Sequence, residues 1–309
     1  MTQEEGRDRG KIGTAALLMA AGASLSSLAA LTLSLLMLVL LPRSPRGIAA
    51  GVLGGAVAVL LLPSPAGPGA ALFAWTTTVA AAFLVATLVR PGWTFLPRAL
   101  AALALGFAGV GGWLTVSGRW AALDRGVRAL TRTASEAWIR RLSTEVPDTT
   151  WASALETSIR GVAELQWRVF PALLALQSLA ALALGWWIFA RFAPDGERWM
   201  QLRPLREFRF SDHLVWIVVA GVVLALLPVG AGAARVGANA LFFMGGLYAL
   251  RGLGVVLFTT GISPVLLAVL VGIFALSPLV HIVLAVALLV GLGDTWLDVR
   301  RRAALAPRA

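Results

Sequence analysis

The segment HIVLAVALLVGLGDTWLDVRRR (281–302) joins a long apolar run to a cluster of charges. No Asp, Glu, Lys or Arg occurs between Arg251 and Asp294, and two aspartates, a tryptophan and three arginines then follow. About twenty apolar residues cross the hydrocarbon core of a bilayer as a helix, and tryptophan and arginine are frequent where such a helix ends. The segment therefore indicates either the exit of a membrane helix or a catalytic site, because Gly-x-Gly-Asp (291–294) also marks one class of intramembrane aspartyl protease.

The rest of the sequence argues against the protease. Such an enzyme needs two aspartates that face each other in apolar surroundings and activate a water molecule. The only tyrosine, Tyr248, is followed by Ala249 rather than by aspartate, and the Pro-Ala-Leu triplet at 171–173 precedes Asp294 instead of following it. We therefore interpret 290–302 as a helix exit.

A helix exit predicts a role for each polar residue in this segment. Trp296 suits the membrane interface, Asp298 and Arg302 are spaced to pair on one helix face, and Arg300 begins a run that holds the helix end at an anionic membrane face. Asp294 is a carboxylate near the negative end of the helix dipole, where it is unfavourable without a partner. We expect that partner to be an arginine from the basic connector 191–209.

The composition is that of an integral membrane protein. Hydrophobic residues make up 59% of the 309 and charged residues 13%, with a mean hydropathy of +0.83; a soluble domain has about 25% charged residues. The net charge of +11 comes from arginines between apolar segments, where lipid headgroups explain them better than a nucleic-acid partner does. With no cysteine and two histidines the chain is poorly provided for catalysis, so we expect no enzyme, no cofactor and no metal.

The hydropathy pattern predicts an all-α, polytopic transmembrane bundle within a single membrane domain, 1–309. It contains about eight hydrophobic segments, which we place at 13–41, 47–62, 70–89, 99–116, 168–190, 213–229, 236–260 and 264–292. Proline and glycine clusters such as LPRSPRG (41–47) and RPGWTFLPR (90–98) separate them. The loop 191–212 is short and strongly basic.

Residues 117–167 predict an amphipathic helical connector between the fourth and fifth segments. Apolar residues recur at helical spacing, with arginines largely on other faces: Trp120, Leu123, Val127, Leu130, Ala134 and Ala137. STEVPDTT (143–150) breaks this pattern before a second helix. Two interpretations stay open: a solvated loop that folds on its own bundle, or a surface that contacts a partner.

The distribution of Lys and Arg depends on whether the first and last segments cross the membrane once. If all eight segments cross, one side carries eight such residues and the other nine, outside 117–167, which gives no orientation under the positive-inside rule. Both end segments are 29 residues long, with candidate breaks at GASLSS (22–27) and LSPL (276–279). If both segments turn back, the count becomes sixteen against one. We expect either broken, re-entrant end segments or long, tilted spans.

Small-residue faces are the first kind of candidate site. Gly47, Gly51 and Gly55 recur every four residues and leave a bare helix face, against which another helix can pack closely. That helix belongs either to this chain or to a partner membrane protein. Two similar faces consist of Ala104, Ala108 and Gly112, and of Gly245 and Ala249.

Polar residues inside the apolar segments are the second kind. An unpaired charge there costs several kcal/mol, so Arg251, Asn239 and His281 are expected either to bind a small solute or to be paired within the bundle. Asp212 and His213 are expected to be a helix cap and an interface residue rather than metal ligands, since no further ligand lies at a suitable spacing.

Three stretches carry a family resemblance: FRFSDHLVW (208–216), NALFFMGGLYALRGLGVV (239–256) and LGDTWLDVRRR (292–302). In them the chain resembles the YybS-like family of predicted bacterial membrane proteins, domain of unknown function 2232. Arg251 departs from the pattern, since a neutral polar residue is more usual there. The family pattern includes Asn239, Gly252, Leu253, Asp294, Asp298 and Arg300.

The resemblance implies a multi-pass protein of the bacterial cytoplasmic (inner) membrane. The family layout is similar to that of the S-components of energy-coupling-factor vitamin transporters and to that of the rod-shape protein MreD. We therefore expect either a transporter-like, small-solute binding subunit or a scaffold for cell-envelope or division machinery. The first predicts a polar cavity near Arg251, Asn239 and His281. The second predicts a filled bundle and an exposed apolar stripe on 117–142, which contacts a membrane-protein partner.

Overall fold

The computed structural model describes residues 68–90, 92–145, 150–192, 204–228, 230–264, 266–267, 269–270 and 280–305. All regular structure in these residues is helical. The chain divides into two compact units, which are described separately. The first comprises Met1–Phe170 and Leu174–Gln201, and the second comprises Pro171–Leu173 and Leu202–Ala309.

The first unit contains helices α1 to α5, except for Pro171–Leu173 of α5, which belong to the second unit. They span Pro68–Val89 (α1), Phe95–Val116 (α2), Trp120–Glu145 (α3), Thr150–Arg168 (α4) and Phe170–Phe192 (α5). Helices α1 and α2 pack closely at Gly106, because a Cβ atom there would lie only 2.6 Å from Cγ2 of Val79. Glycine at this position therefore sets the distance between the two helices.

Helix α5 packs along α1 through two matched contacts. The indole Nε1 of Trp75 donates a hydrogen bond to Oγ of Ser178 at 2.9 Å, and the rings of Phe83 and Trp186 meet edge to face at 5.7 Å. Both contacts join residues the same number of positions apart, so α5 runs parallel to α1. The buried serine thus satisfies an indole that would otherwise be a costly buried donor.

Helices α3 and α4 form a pair held by polar contacts around Trp167. Its Nε1 donates to Oδ1 of Asp124 at 3.1 Å, and the guanidinium of Arg128 lies 4.5 Å from the centre of its ring. Arg128 also approaches Glu164 at 3.7 Å. These contacts lie between the two helices and leave Leu130 and Trp138 exposed.

The second unit contains helices α6 to α9. They span Val215–Leu226 (α6), Ala231–Thr260 (α7), Val280–Leu297 (α8) and Val299–Leu305 (α9), and two short 3₁₀ turns, Leu205–Glu207 and Asp212–Leu214, precede them. Helices α6 and α7 form an antiparallel hairpin that closes at Gly221 and Gly237, where a Cβ on Gly237 would lie 2.6 Å from the carbonyl oxygen of Gly221. The backbones are therefore in direct contact.

Helices α7 and α8 cross at Gly252 and Gly291. A Cβ on Gly252 would overlap the carbonyl of Ala287, and one on Gly291 would overlap the carbonyl of Tyr248. Gly245 faces Leu288, Tyr248 faces Gly291 and Arg251 binds Asp294, and each pair is 43 positions apart. Because these three pairs share one offset, α7 and α8 run parallel, and α8 begins at the end of the unit at which α7 begins.

Four helices in the described residues are long and apolar enough to cross a membrane. They are α1, α2, the first 18 residues of α5 and α7, whereas the apolar helices Asp212–Leu226 and His281–Leu297 are shorter. The four long helices correspond to the predicted segments 70–89, 99–116, 168–190 and 236–260. The predicted segments 13–41 and 47–62 lie outside the described residues, as does the predicted break at 276–279. Helix α8 begins at Val280, directly after that position.

Candidate functional site

Arg251 lies buried in α7, with 3% of its surface exposed. Its Nε donates to Oδ2 of Asp294 at 3.0 Å, its Nη2 donates to the backbone carbonyl of Asp294 at 3.2 Å, and its Nη1 donates to Oδ1 of Asp212 at 2.8 Å. Every nitrogen of the guanidinium therefore has an acceptor. Two of the acceptors belong to Asp294 in α8, and the third belongs to Asp212, just before α6.

Asp294, 1% exposed, is the centre of the cluster. Its Oδ2 accepts hydrogen bonds from Arg251 and from Nη2 of Arg300, the latter at 2.9 Å. Arg300, 5% exposed, also donates through Nη1 to the carbonyls of Arg206 and Phe208, at 3.1 Å each. One carboxylate thus holds α7, α9 and, through Arg300, the entry segment (204–210) that leads into α6.

A helix break at Asp298 makes this arrangement possible. In one continuous helix, residues six apart point in very different directions, so Arg300 would face away from Asp294. Asp298 instead adopts a positive φ of 41° between α8 and α9, a conformation that aspartate tolerates better than most residues do. Arg209 of the entry segment forms an ion pair with its carboxylate. The break turns Arg300 back onto Asp294.

Aromatic rings cover the cluster on one side. The guanidinium carbon of Arg251 lies 5.5 Å from the centre of the Phe210 ring, and Phe210 meets Tyr248 edge to face at 5.0 Å. The ring face attracts the cation and excludes water from it. In such surroundings an ion pair is strongly coupled, and removal of one partner costs about 3–5 kcal/mol because the other charge remains buried.

The chemistry of this cluster is that of a structural ion network. Two guanidinium groups share one buried carboxylate, while the Asp212 side chain, 63% exposed, links the network to the surface. In the described part of the chain, no group of three or more His, Asp or Glu residues lies close enough to hold a metal ion. The arrangement therefore joins helices of the second unit.

The three residues predicted for a solute site are not brought together. Asn239 accepts a hydrogen bond from the backbone N–H of Ala172 at 3.0 Å and donates one to the carbonyl of Arg235 at 2.8 Å. It lies twelve residues before Arg251 on α7, about 18 Å along the axis. His281 is exposed near the start of α8, about 20 Å along that helix from Asp294. Arg251 is thus separated from both.

The residues of the predicted helix exit make contacts that differ in part from the predicted ones. Trp296 is 66% exposed, as an interfacial tryptophan can be. In the described residues the carboxylate of Asp294 binds Arg251 and Arg300 rather than an arginine of the predicted connector 191–209, whose Arg206 instead offers its backbone carbonyl to Arg300. The predicted pairing of Asp298 with Arg302 is also wrong, because the side chain of Asp298 binds Arg209. Both differences follow from the break at Asp298.

Asp212 does not cap a helix as predicted. The N-cap of its 3₁₀ turn is Ser211, and no side-chain capping bond forms there. Its carboxylate binds Arg251 instead. A charged acceptor is worth more to a buried guanidinium than to a helix end, where it contributes about 1 kcal/mol.

The predicted small-residue faces differ in their surroundings. Gly47, Gly51 and Gly55 lie outside the described residues. Gly245 packs against Leu288 and Ala249 is buried, so that face is used within the chain. Ala104, Ala108 and Gly112 are exposed, because Gly106 on another face of α2 makes the contact with α1. A count of small residues cannot tell these cases apart.

Sequence reasoning missed three parts of this site. Arg300 was predicted to be an anchor at the membrane face, but its guanidinium is buried. Phe210 and the crossing at Gly252 and Gly291 were assigned no role. The available signal was Gly252 and Gly291 in two apolar segments, each close to a charged residue that needed a partner. Small residues next to a buried charge indicate that two helices approach there.

Comparison with protein families gives one match, to the family described as predicted membrane protein (DUF2232), over residues 14–295. The match covers most of the chain, including every helix of both units up to Thr295 in α8. Comparison with curated proteins and with solved structures gives no significant match.

Proposed function

We propose that this chain, which belongs to the DUF2232 family of predicted membrane proteins, is a non-enzymatic scaffold that docks a partner membrane protein through helix α2. Its apolar helices place it in a membrane, in contact with lipid. Of the two roles expected from the sequence, a solute-binding subunit and a scaffold for cell-envelope machinery, the geometry supports the second better.

The observation that carries the proposal is the division of α2 into two faces. Gly106, on the inner face, packs under Trp75 and Val79 of α1. Ala104, Ala108 and Gly112, on the outer face, are exposed, and no atom of the described residues lies within 4 Å of a Cβ built on Gly112. Within a membrane, such small residues let a second helix approach closely enough for backbone and van der Waals contacts.

Helix α3 offers a second surface of the kind that a scaffold needs. Trp138 is 61% exposed and Leu130 is similarly exposed, although α3 and α4 already bury polar contacts against each other. Exposed large apolar residues beside charged ones are typical of contact surfaces. They support a partner contact along 117–142.

The buried cluster speaks against a solute site at Arg251. All three of its nitrogens are held by Asp294 and Asp212, and both polar atoms of the Asn239 amide are held by Ala172 and Arg235. A solute would have to break charge-assisted hydrogen bonds that are stronger than neutral ones. These groups stabilise the bundle in the proposed function.

Site-specific photo-cross-linking in native membranes tests the scaffold. A photoreactive amino acid at Ala108 is expected to give one dominant protein adduct, identified by mass spectrometry, whereas the same amino acid at the buried Leu103 gives none. Ala104→Leu should abolish the adduct at position 108 without a change in thermal stability. Adducts with lipid alone, or an adduct that Ala104→Leu leaves intact, would refute docking at this face.

A second candidate function, binding of a small polar solute, is favoured by one observation. Oδ1 of Asp294 and the hydroxyl of Tyr248 are buried and make no hydrogen bond within the described residues, and such atoms usually have a partner. Native mass spectrometry of the purified protein would detect a retained small molecule, and Tyr248→Phe should then lose it. Identical spectra for both proteins would remove this candidate.

We further propose that the basic connector 191–209 and the C-terminal tail lie on the same, cytoplasmic side of a bacterial inner membrane. The contacts of Arg300 with the carbonyls of Arg206 and Phe208 support this, as does the parallel direction of α7 and α8. If the C-terminal tail lies on the same side as the basic connector 191–209, that side carries thirteen Lys and Arg residues and the other side four, with 117–167 left out of the count. That bias agrees with the positive-inside rule and with a last segment that turns back.

A further inference from the structure

The second unit has more arginines than its carboxylates can neutralise. From Leu202 to Ala309 it contains nine arginines, no lysine and four acidic residues: Glu207, Asp212, Asp294 and Asp298. Each acid already faces at least one arginine. Glu207 faces Arg206, and Asp212 faces Arg251. Asp294 faces both Arg251 and Arg300, and Asp298 faces Arg209. The unit therefore carries a surplus of positive charge that no carboxylate of its own can balance.

Two of the surplus arginines are exposed on α9. Arg301 and Arg302 follow the buried Arg300, and both side chains are open to the surroundings. Trp296, also largely exposed, precedes them at the end of α8, and Trp216 is exposed at the start of α6. Exposed tryptophans at the ends of apolar helices mark the level of the lipid headgroups. Arg301 and Arg302 thus lie near helix ends that meet the membrane interface.

We propose that Arg301 and Arg302 bind the headgroup of an acidic phospholipid. The phosphate accepts charge-assisted hydrogen bonds from the guanidinium groups, and Trp296 packs beside the adjoining acyl chain. The fixed position of α9 favours this binding, because Arg300 and Asp294 hold the helix while its outer arginines stay available. The inference does not rest on the scaffold role.

Lipid titration of the full-length protein in detergent tests the inference. Native mass spectrometry would measure the dissociation constant of phosphatidylglycerol, with phosphatidylcholine as the neutral comparison. Arg301→Gln/Arg302→Gln is expected to weaken phosphatidylglycerol binding about 30-fold, since each arginine near an anionic lipid contributes about fivefold. Arg301→Lys/Arg302→Lys should retain most of the binding.

A matched control removes the same charge elsewhere. Arg140→Gln/Arg141→Gln neutralises two adjacent, exposed arginines of α3 and should leave the dissociation constant unchanged. An equal loss in this variant, or no loss in Arg301→Gln/Arg302→Gln, would overturn the assignment to α9. Inorganic phosphate at the same concentration should not displace the lipid. Displacement would show that the site recognises phosphate alone and would overturn the lipid assignment.

Discussion

Asp294 concentrates much of the polar stability of the second unit in one side chain. It is 1% exposed and accepts hydrogen bonds from two guanidinium groups. An unpaired arginine inside a membrane protein is expensive, so each of the two arginines depends on this carboxylate. Arg251 lies 43 positions before Asp294 in the sequence, and Arg300 lies six positions after it.

Asp294→Asn is therefore expected to destabilise the protein. The amide keeps the shape of the side chain but removes the negative charge, which leaves Arg300 without an ionised partner and Arg251 with Asp212 alone. We expect a loss of about 3–5 kcal/mol in the free energy of unfolding, measured by titration with sodium dodecyl sulfate. Asp298→Asn is the control: its ion pair with Arg209 is exposed, so the loss should stay below about 1 kcal/mol.

Arg300→Lys tests whether geometry as well as charge matters at this position. The guanidinium reaches Asp294 with one nitrogen and two backbone carbonyls with another, whereas an ammonium is a single point of charge. We expect a loss of about 1–3 kcal/mol, since buried carbonyls are left without a donor. Arg301→Lys, next to it and exposed, should unfold like the wild type, and an equal effect in both variants would contradict this role.

The partner of Asp294 shows what a sequence can and cannot predict for a single residue. A carboxylate at a helix end needs a cation, and that requirement follows from electrostatics alone. The identity of the cation does not, because it depends on the positive φ of Asp298, which turns Arg300 back toward α8. A local backbone break of one residue is invisible in hydropathy and in residue spacing.

At the level of helices, close approach rather than polar contact determines where α7 and α8 meet. Gly252 and Gly291 each present bare backbone to the other helix. The short distance lets Arg251, which directly precedes Gly252, and Asp294, three residues after Gly291, reach each other directly. Small residues and charged residues are therefore parts of one interface.

Gly291→Ala should disrupt this crossing. The added methyl group would overlap the carbonyl of Tyr248, which belongs to backbone and cannot rotate away, so the helices must separate. We expect a loss of about 3 kcal/mol, the upper end of the cost of overpacking, together with a lower midpoint of thermal unfolding. Gly293→Ala, two residues away, meets its nearest atom only at 4.0 Å and should be neutral or slightly stabilising. Equal stability of the two variants would contradict the crossing.

For the whole molecule, hydropathy predicts helices well where an apolar run stands alone. The predicted segments 70–89 and 99–116 lie within α1 and α2, and 168–190 lies largely within α5. The same reasoning overestimates α6, which has 12 residues where seventeen were predicted at 213–229. Hydropathy measures how apolar a run is, but not where its backbone turns, and α6 ends before the turn at Gly230 with its φ of +124°.

The direction of the last helix is the property that sequence leaves most open. A segment of 29 residues satisfies hydropathy equally well as one tilted span or as two shorter helices. The shared offset of three contacts between α7 and α8, and the contact of Arg300 with the entry segment, favour the second arrangement. The count of arginines on each side of the membrane depends on this alternative.

Cysteine labelling can test this arrangement cleanly, because the chain contains no cysteine of its own. Three exposed positions are suitable: Arg206 in the entry segment, Arg302 in α9 and Gly232 at the start of α7. A membrane-impermeant maleimide should label Arg206→Cys and Arg302→Cys only in inverted vesicles, and Gly232→Cys only in intact cells. Both results follow if α7 and α8 end on the cytoplasmic side. Labelling of Arg302→Cys together with Gly232→Cys would mean that the last segment crosses once, and it would contradict the contacts of Arg300 with the entry segment.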